Sequence, residues 1–125
     1  MDKQRNRMNK KILLVEDDRT MQNLLKTLLQ IEGFEVVVID EKPETDFLFV
    51  FQVEKPDIIL MDVLLKYNNG IDLTLSIRSL LPDAPIKIIL SSGIDYSAQS
   101  AKSGADRFLQ KPYMPDTLIN ILKEL

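Results

Sequence analysis

The chain has 125 residues and contains neither cysteine nor histidine. It can therefore build no His/Cys zinc site, no thiol nucleophile and no Ser-His-Asp triad, and it cannot itself carry a phosphohistidine. Any chemistry falls to carboxylates, lysines, hydroxyls or a bound ion. Lack of Cys is compatible with a reducing compartment, and a cytoplasmic location is the expectation. With 4 Gly and 6 Pro the chain is no fibre and no low-complexity polymer. No stretch approaches the roughly 18 apolar residues that cross a bilayer, and the basic start MDKQRNRMNKK is not followed by an apolar segment with a small-residue cleavage site. Neither a membrane anchor nor an export signal is expected.

What is present is the composition of an ordinary globule, 45% hydrophobic and 28% charged, at a length that suits one domain. The net charge of −3 hides an asymmetry, because residues 1–11 hold five Lys/Arg and one Asp, leaving −7 on residues 12–125. So acidic a body is a poor partner for nucleic acid. Residues 1–9 are expected to form a basic, solvated tail and residues 10–125 the folded domain.

Short apolar runs alternate with helical patterns. Ile12–Val15 is a continuous apolar run stopped by Glu16-Asp17-Asp18, the signature of a strand buried on both faces. Met21, Leu24, Leu25, Leu28 and Leu29 then recur at helical spacing, between a capping Asp18 and a terminating Gly33. Further strands are expected over Phe34–Ile39, Ile58–Met61, Ile86–Leu90 and Arg107–Gln110, with helices between Gly70 and Pro82 and over Pro115–Leu125. In Phe47-Leu48-Phe49-Val50-Phe51 residue type favours strand and topology a crossover helix; topology is given precedence. The expected fold is α/β: a three-layer (βα)5 doubly wound sandwich on a five-stranded parallel sheet.

In such a sheet the working site lies beyond the carboxyl ends of the strands. That rim receives Glu16, Asp17 and Asp18 from the first strand, Asp62 from the third, Ser91, Ser92 and Gly93 from the fourth, and Lys111-Pro112 from the fifth. Converging carboxylates repel and are tolerated mainly around a cation, and magnesium is the hard ion that takes one or two carboxylates together with a phosphate oxygen. Asp62 is then placed to attack phosphorus, Ser92 to donate to a phosphoryl oxygen and Lys111 to hold another.

The segments KILLVEDD, PDIILMD with Gly70 eight residues after Asp62, IKIILSSG and GADRFLQKP, followed by a closing helix, resemble in order the receiver domains of two-component response regulators. The resemblance extends over residues 10–125 and implies the strand order 2-1-3-4-5. It implies that Asp62 is the phosphoacceptor, that Glu16 and Asp17 are the acidic pair with Asp17 the more direct Mg2+ ligand, and that the backbone carbonyl of Leu64 completes the metal site. It further implies Ser92 as switch hydroxyl, with Ser91 as runner-up, Lys111 as phosphoryl-binding lysine and Phe108 as switch aromatic. The partner implied is a sensor histidine kinase or a histidine phosphotransfer protein. Output through a downstream protein, an effector domain or a homodimer is implied as well. No turnover enzyme is expected, beyond assistance to its own phosphorylation and dephosphorylation.

The departures from the family's pattern carry expectations too. Lys66 replaces a frequent proline, so the loop Leu64–Asn69 is expected to be mobile. Apolar Leu64 has no side chain to orient water, which predicts a phosphoryl group that is not short-lived. About three residues are missing between Ser92 and Lys111, so a short or frayed fourth helix is expected. The 125 residues are expected to hold a receiver alone, free-standing or cut from a longer protein. A flavin carrier is disfavoured because the turn after the first strand is acidic, and a haloacid dehalogenase-type phosphatase because Val63-Leu64 follows Asp62. The alternative is a receiver-like interaction module that works without phosphate.

Overall fold

The computed structural model describes residues 10–125; the tail expected over residues 1–9 lies outside them. Five strands, β1 (Lys11–Val15), β2 (Glu35–Val38), β3 (Ile58–Asp62), β4 (Lys87–Ser92) and β5 (Arg107–Gln110), alternate with five helices. The helices are α1 (Arg19–Ile31), α2 (Phe47–Glu54), α3 (Gly70–Leu80), α4 (Ser97–Ser103) and α5 (Pro115–Glu124). All pairings are parallel, and the sheet order is β2-β1-β3-β4-β5. The expected fold and strand order are therefore those of the protein.

The strands are apolar on both sides because each side has its own core. Leu13, Val15, Ile59, Met61, Ile88 and Leu90 pack with Phe47, Phe51 and Ile77 under α2 and α3. Ile12, Leu14, Ile58, Leu60 and Ile89 pack with residues of α1 and α5 such as Leu29 and Leu118. The alternation follows from the two-residue period of a strand.

Topology wins over residue type at the Phe-rich segment. Asp46 caps α2 by accepting from Phe49 N–H at 3.1 Å, and the one-turn spacing brings the buried Phe47 and Phe51 rings to 5.8 Å. Phe49, which a strand would place beside them, is 61% exposed on the opposite side. α4 is short, seven residues without a side-chain cap, and ends at Gly104 with φ +100°. It is tied down from α3, where Arg78 donates to Gly104 O at 2.9 Å, Ile86 O at 2.7 Å and Asp106 Oδ2 at 2.9 Å.

Helical placement of the aromatic run predicts unequal costs of truncation. Phe51→Ala should destabilise by about 3–5 kcal/mol and Phe49→Ala by less than about 0.5 kcal/mol, read as shifts in the urea midpoint; equal losses would contradict the helix.

Candidate functional site

The chain leaves β1 toward β2 on one side and returns to β3 on the other, so a crevice opens between the carboxyl ends of β1 and β3. Glu16 and Asp17 follow β1, Asp62 ends β3, Ser91 and Ser92 end β4, and Lys111 follows β5. Asp62, Leu64, Ser91, Ser92, Gly93 and Lys111 line a cleft of about 170 Å³. A larger, mainly apolar hollow of about 500 Å³ lies at the opposite rim, around Phe51, Pro56 and Ile86. It lacks a convergent set of carboxylate, hydroxyl and ammonium.

Lys111 organises the crevice. Its Nζ lies 2.8 Å from Glu16 Oε1 and 2.9 Å from Asp62 Oδ1, while its backbone N–H donates to Ser92 O at 2.8 Å. The second Glu16 oxygen accepts from Asp18 N–H at 3.0 Å. Asp18 also caps α1, accepting from Met21 N–H at 2.9 Å.

One ammonium faces two buried carboxylates, and the imbalance appears in their proton affinities. Burial, then the neighbouring Glu16, push the Asp62 carboxyl up from 3.8 to about 7 despite Lys111. Burial opposes ionisation of Glu16 as well, yet hydrogen bonds with Asp62, Lys111 and Asp18 N–H hold it below its ordinary value. The two acids titrate as a coupled pair, Asp62 raised and Glu16 lowered. Lys111 is disfavoured as a cation by burial but held above its ordinary value by the two carboxylates.

The loop expected to be mobile is closed by hydrogen bonds. Leu64 and Asn69 form an antiparallel bridge, Leu65 N–H donates to Asn68 O at 3.2 Å, and Gly70 N–H donates to Val63 O at 2.7 Å. Lys66, standing where the family often has proline, has the N–H that proline lacks and donates it to Asp17 Oδ2 at 2.6 Å. Gly70 is required by contact: a Cβ there would overlap the carbonyl oxygen of Asp62.

Sequence reasoning missed Glu41. It leaves the β2 end of the sheet and is 8% exposed, and its Oε2 accepts from Tyr67 N–H and Asn68 Nδ2, each at 2.8 Å. The signal that singled out Glu16, an acid at the carboxyl rim, was present in Ile39-Asp40-Glu41. Asp17 is raised above its ordinary value, by burial first and then, against the Lys66 N–H, by Glu41 and Glu16.

The two serines separate by face. Leu90 lies directly across from Phe108 and both belong to the α2–α3 side; the two-residue period puts Ser92 on that side and Ser91 on the other. Ser92 Oγ accepts from Ile94 N–H at 3.2 Å, whereas Ser91 Oγ is buried without a partner among the described residues. The Leu64 side chain is 52% exposed. Glu16 and Asp62 thus meet at Lys111 while Asp17 is held by the Lys66 N–H, and no three acids among the described residues form a ready-made metal cage.

Comparison with known proteins agrees with the fold. Residues 12–123 match the response regulator receiver domain. The transcriptional regulatory protein CpxR of Escherichia coli is 35% identical over 111 residues, 87% of this chain and 46% of that protein. The DNA-binding response regulator MtrA of Mycobacterium tuberculosis is 31% identical over 115 residues, 90% of this chain and 48% of that protein. Among solved structures, a signal receiver domain from Bermanella marisrubri superposes with TM-score 0.83 at 27% identity, covering 94% of this chain and 98% of that one. The receiver domain of Francisella response regulator 1452 gives 0.82 at 28%, covering 93% and 95%. The chain belongs to the response regulator receiver domain family of two-component systems. It spans about half the length of the curated relatives it matches. Among the described residues no helix is long and apolar enough to cross a membrane.

The raised Asp62 makes stability pH-dependent. Its folded-state value, about 7, lies above the ordinary 3.8, so its favourable contribution is complete below pH 4 and is lost as pH rises through 7. With a chelator present, Asp62→Asn should stabilise the fold by roughly 1–3 kcal/mol at pH 8 and by progressively less toward pH 4, measured by urea unfolding across that range.

Proposed function

We propose that Asp62 accepts a phosphoryl group from a phosphohistidine on a partner protein, a sensor kinase or a histidine phosphotransfer protein. The observation that carries this reading is the Lys111 ammonium within 2.9 Å of Asp62 at the mouth of an oxygen-rich cleft. In the transfer an Asp62 carboxylate oxygen bonds to phosphorus as the P–N bond breaks. The electron pair stays with the imidazole nitrogen, and the ring takes up a proton. Lys111 holds a phosphoryl oxygen as a fixed point charge, and the Ser92 hydroxyl donates to another.

Magnesium fits the donor set. Two carboxylates there share one ammonium, burial and then Glu16 raise the Asp62 carboxyl to about 7, and a hard ion that keeps several waters needs no complete cage. Asp17 and Asp62, the Leu64 carbonyl and, through water, Glu16 would hold it. Bound there, it supplies neutralising charge to the carboxylates and the phosphoryl oxygens. Attack needs ionised Asp62, and Lys111 contributes to that state directly.

Ser92 and Phe108 share a sheet face, so movement of the hydroxyl toward a phosphoryl oxygen opens room for the ring to follow. Phosphorylation then shifts the population between two packings of the surface near α4 and α5, which a partner reads. The exposed, apolar Leu64 leaves no side chain to align water for hydrolysis. The chain acts as a signalling switch rather than as a turnover enzyme.

Intact-protein mass after incubation with acetyl phosphate tests the acceptor. One adduct of about 80 Da is expected with Mg2+ and wild type, and none with a chelator or in Asp62→Asn. A fully modified Asp62→Asn would overturn the assignment, and a folded wild type that takes phosphate from neither acetyl phosphate nor a phosphohistidine donor would favour the phosphate-independent module. Ser92→Ala should still be phosphorylated but lose the chemical-shift changes at Phe108 on phosphorylation, while Ser91→Ala keeps them; the reverse pattern would exchange the two serines.

A further inference from the structure

Glu41 is a carboxylate in an unexpected place. It belongs to the connection between β2 and α2, is nine-tenths buried, and makes no ion pair with Lys or Arg among the described residues. Its Oε2 grips the tip of the loop after β3 through Tyr67 N–H and Asn68 Nδ2, each at 2.8 Å. Its Oε1 is buried with no partner among the described residues, and its carboxyl is close enough to act on that of Asp17. A buried acid costs stability unless its oxygens are paired and hydrogen-bonded, and here only one of the two is.

What the grip does follows from the chain of bonds it anchors. Asn68 O accepts from Leu65 N–H, and Asn69 is bridged to Leu64. Lys66 N–H, adjacent to the gripped Tyr67, is held on Asp17. Glu41 is thereby connected, through Tyr67 and Asn68, to both the side chain and the backbone carbonyl that the phosphoacceptor reading assigns to the cation. Proline at position 66 would stiffen the corner without offering a donor; here the stiffness comes from an acid more than twenty residues upstream.

We propose, resting on that reading, that Glu41 is a positioning residue for the divalent-cation site, acting by latching Tyr67 and Asn68 so that Asp17 and the Leu64 carbonyl are preset. The latch needs a hydrogen-bond acceptor, not a charge. Glu41→Gln keeps an acceptor for both donors, and Glu41→Ala keeps none.

The test is calorimetric titration of MgCl2 into wild type, Glu41→Ala and Glu41→Gln, with amide exchange of Lys66 and Tyr67 followed in the same proteins. Urea unfolding establishes that each is folded. Glu41→Ala should raise the Mg2+ dissociation constant about 10-fold and expose both amides to fast exchange. Glu41→Gln should stay within about 2-fold of wild type with both amides protected. Wild-type affinity in Glu41→Ala would overturn the proposal, as would an equal loss in both variants, which would make charge the operative property. The wild-type titration tests the phosphoacceptor reading and the variant ratios test Glu41, so the two fail separately.

Discussion

A single ammonium set between two buried carboxylates governs this molecule's working rim. Lys111 reaches Glu16 and Asp62 with its side chain and Ser92 with its backbone, so the ends of β1, β3 and β4 are referenced to the residue that follows β5. Such an arrangement is a weak source of stability, because taking three charges out of water costs about as much as their attraction returns. Its value lies in leaving the charge unbalanced. One positive group cannot neutralise two acids, and burial together with that imbalance raises the Asp62 carboxyl to about 7.

The rest of the rim is built from backbone. Gly70 lets the start of α3 press against the Asp62 carbonyl, Asn69 caps that helix through Ile71 and Asp72 N–H, and Lys66 contributes its amide rather than its ammonium. Loop shape is therefore set largely by main-chain donors held on side-chain acceptors, and residue identity matters where it removes a donor or an acceptor or adds a Cβ.

That division explains what could be read in advance. The strand cores KILLV, IILMD and KIILSS announce themselves through runs too short for helices and too apolar for loops, and the acids at their ends mark the crevice. In the Phe-rich segment residue type suits a strand while the crossover demands a helix, and the packing of Phe47 on Phe51 bears out the helix that topology predicts. At Lys66 the structure adds what the sequence does not show: counting prolines registers lost rigidity but not a gained N–H. Glu41 escaped notice because two of its partners' donors, one of them a main-chain amide, lie on a loop remote in sequence. The choice between Ser91 and Ser92 turns on strand phase, which needs the observed register with β5.

The fork of Arg78 decides how α4 is held. Helix α4 is too short, and too poorly capped, to be a rigid lever by itself. Because Arg78 bonds its C-terminal Gly104, the approach to β4 at Ile86 and the approach to β5 at Asp106, a shift of α4 either drags the tail of α3 along or breaks a guanidinium clasp. Arg78 thus joins α4 and the tail of α3 into one block, and the surface that block presents is wider than that of α4 alone.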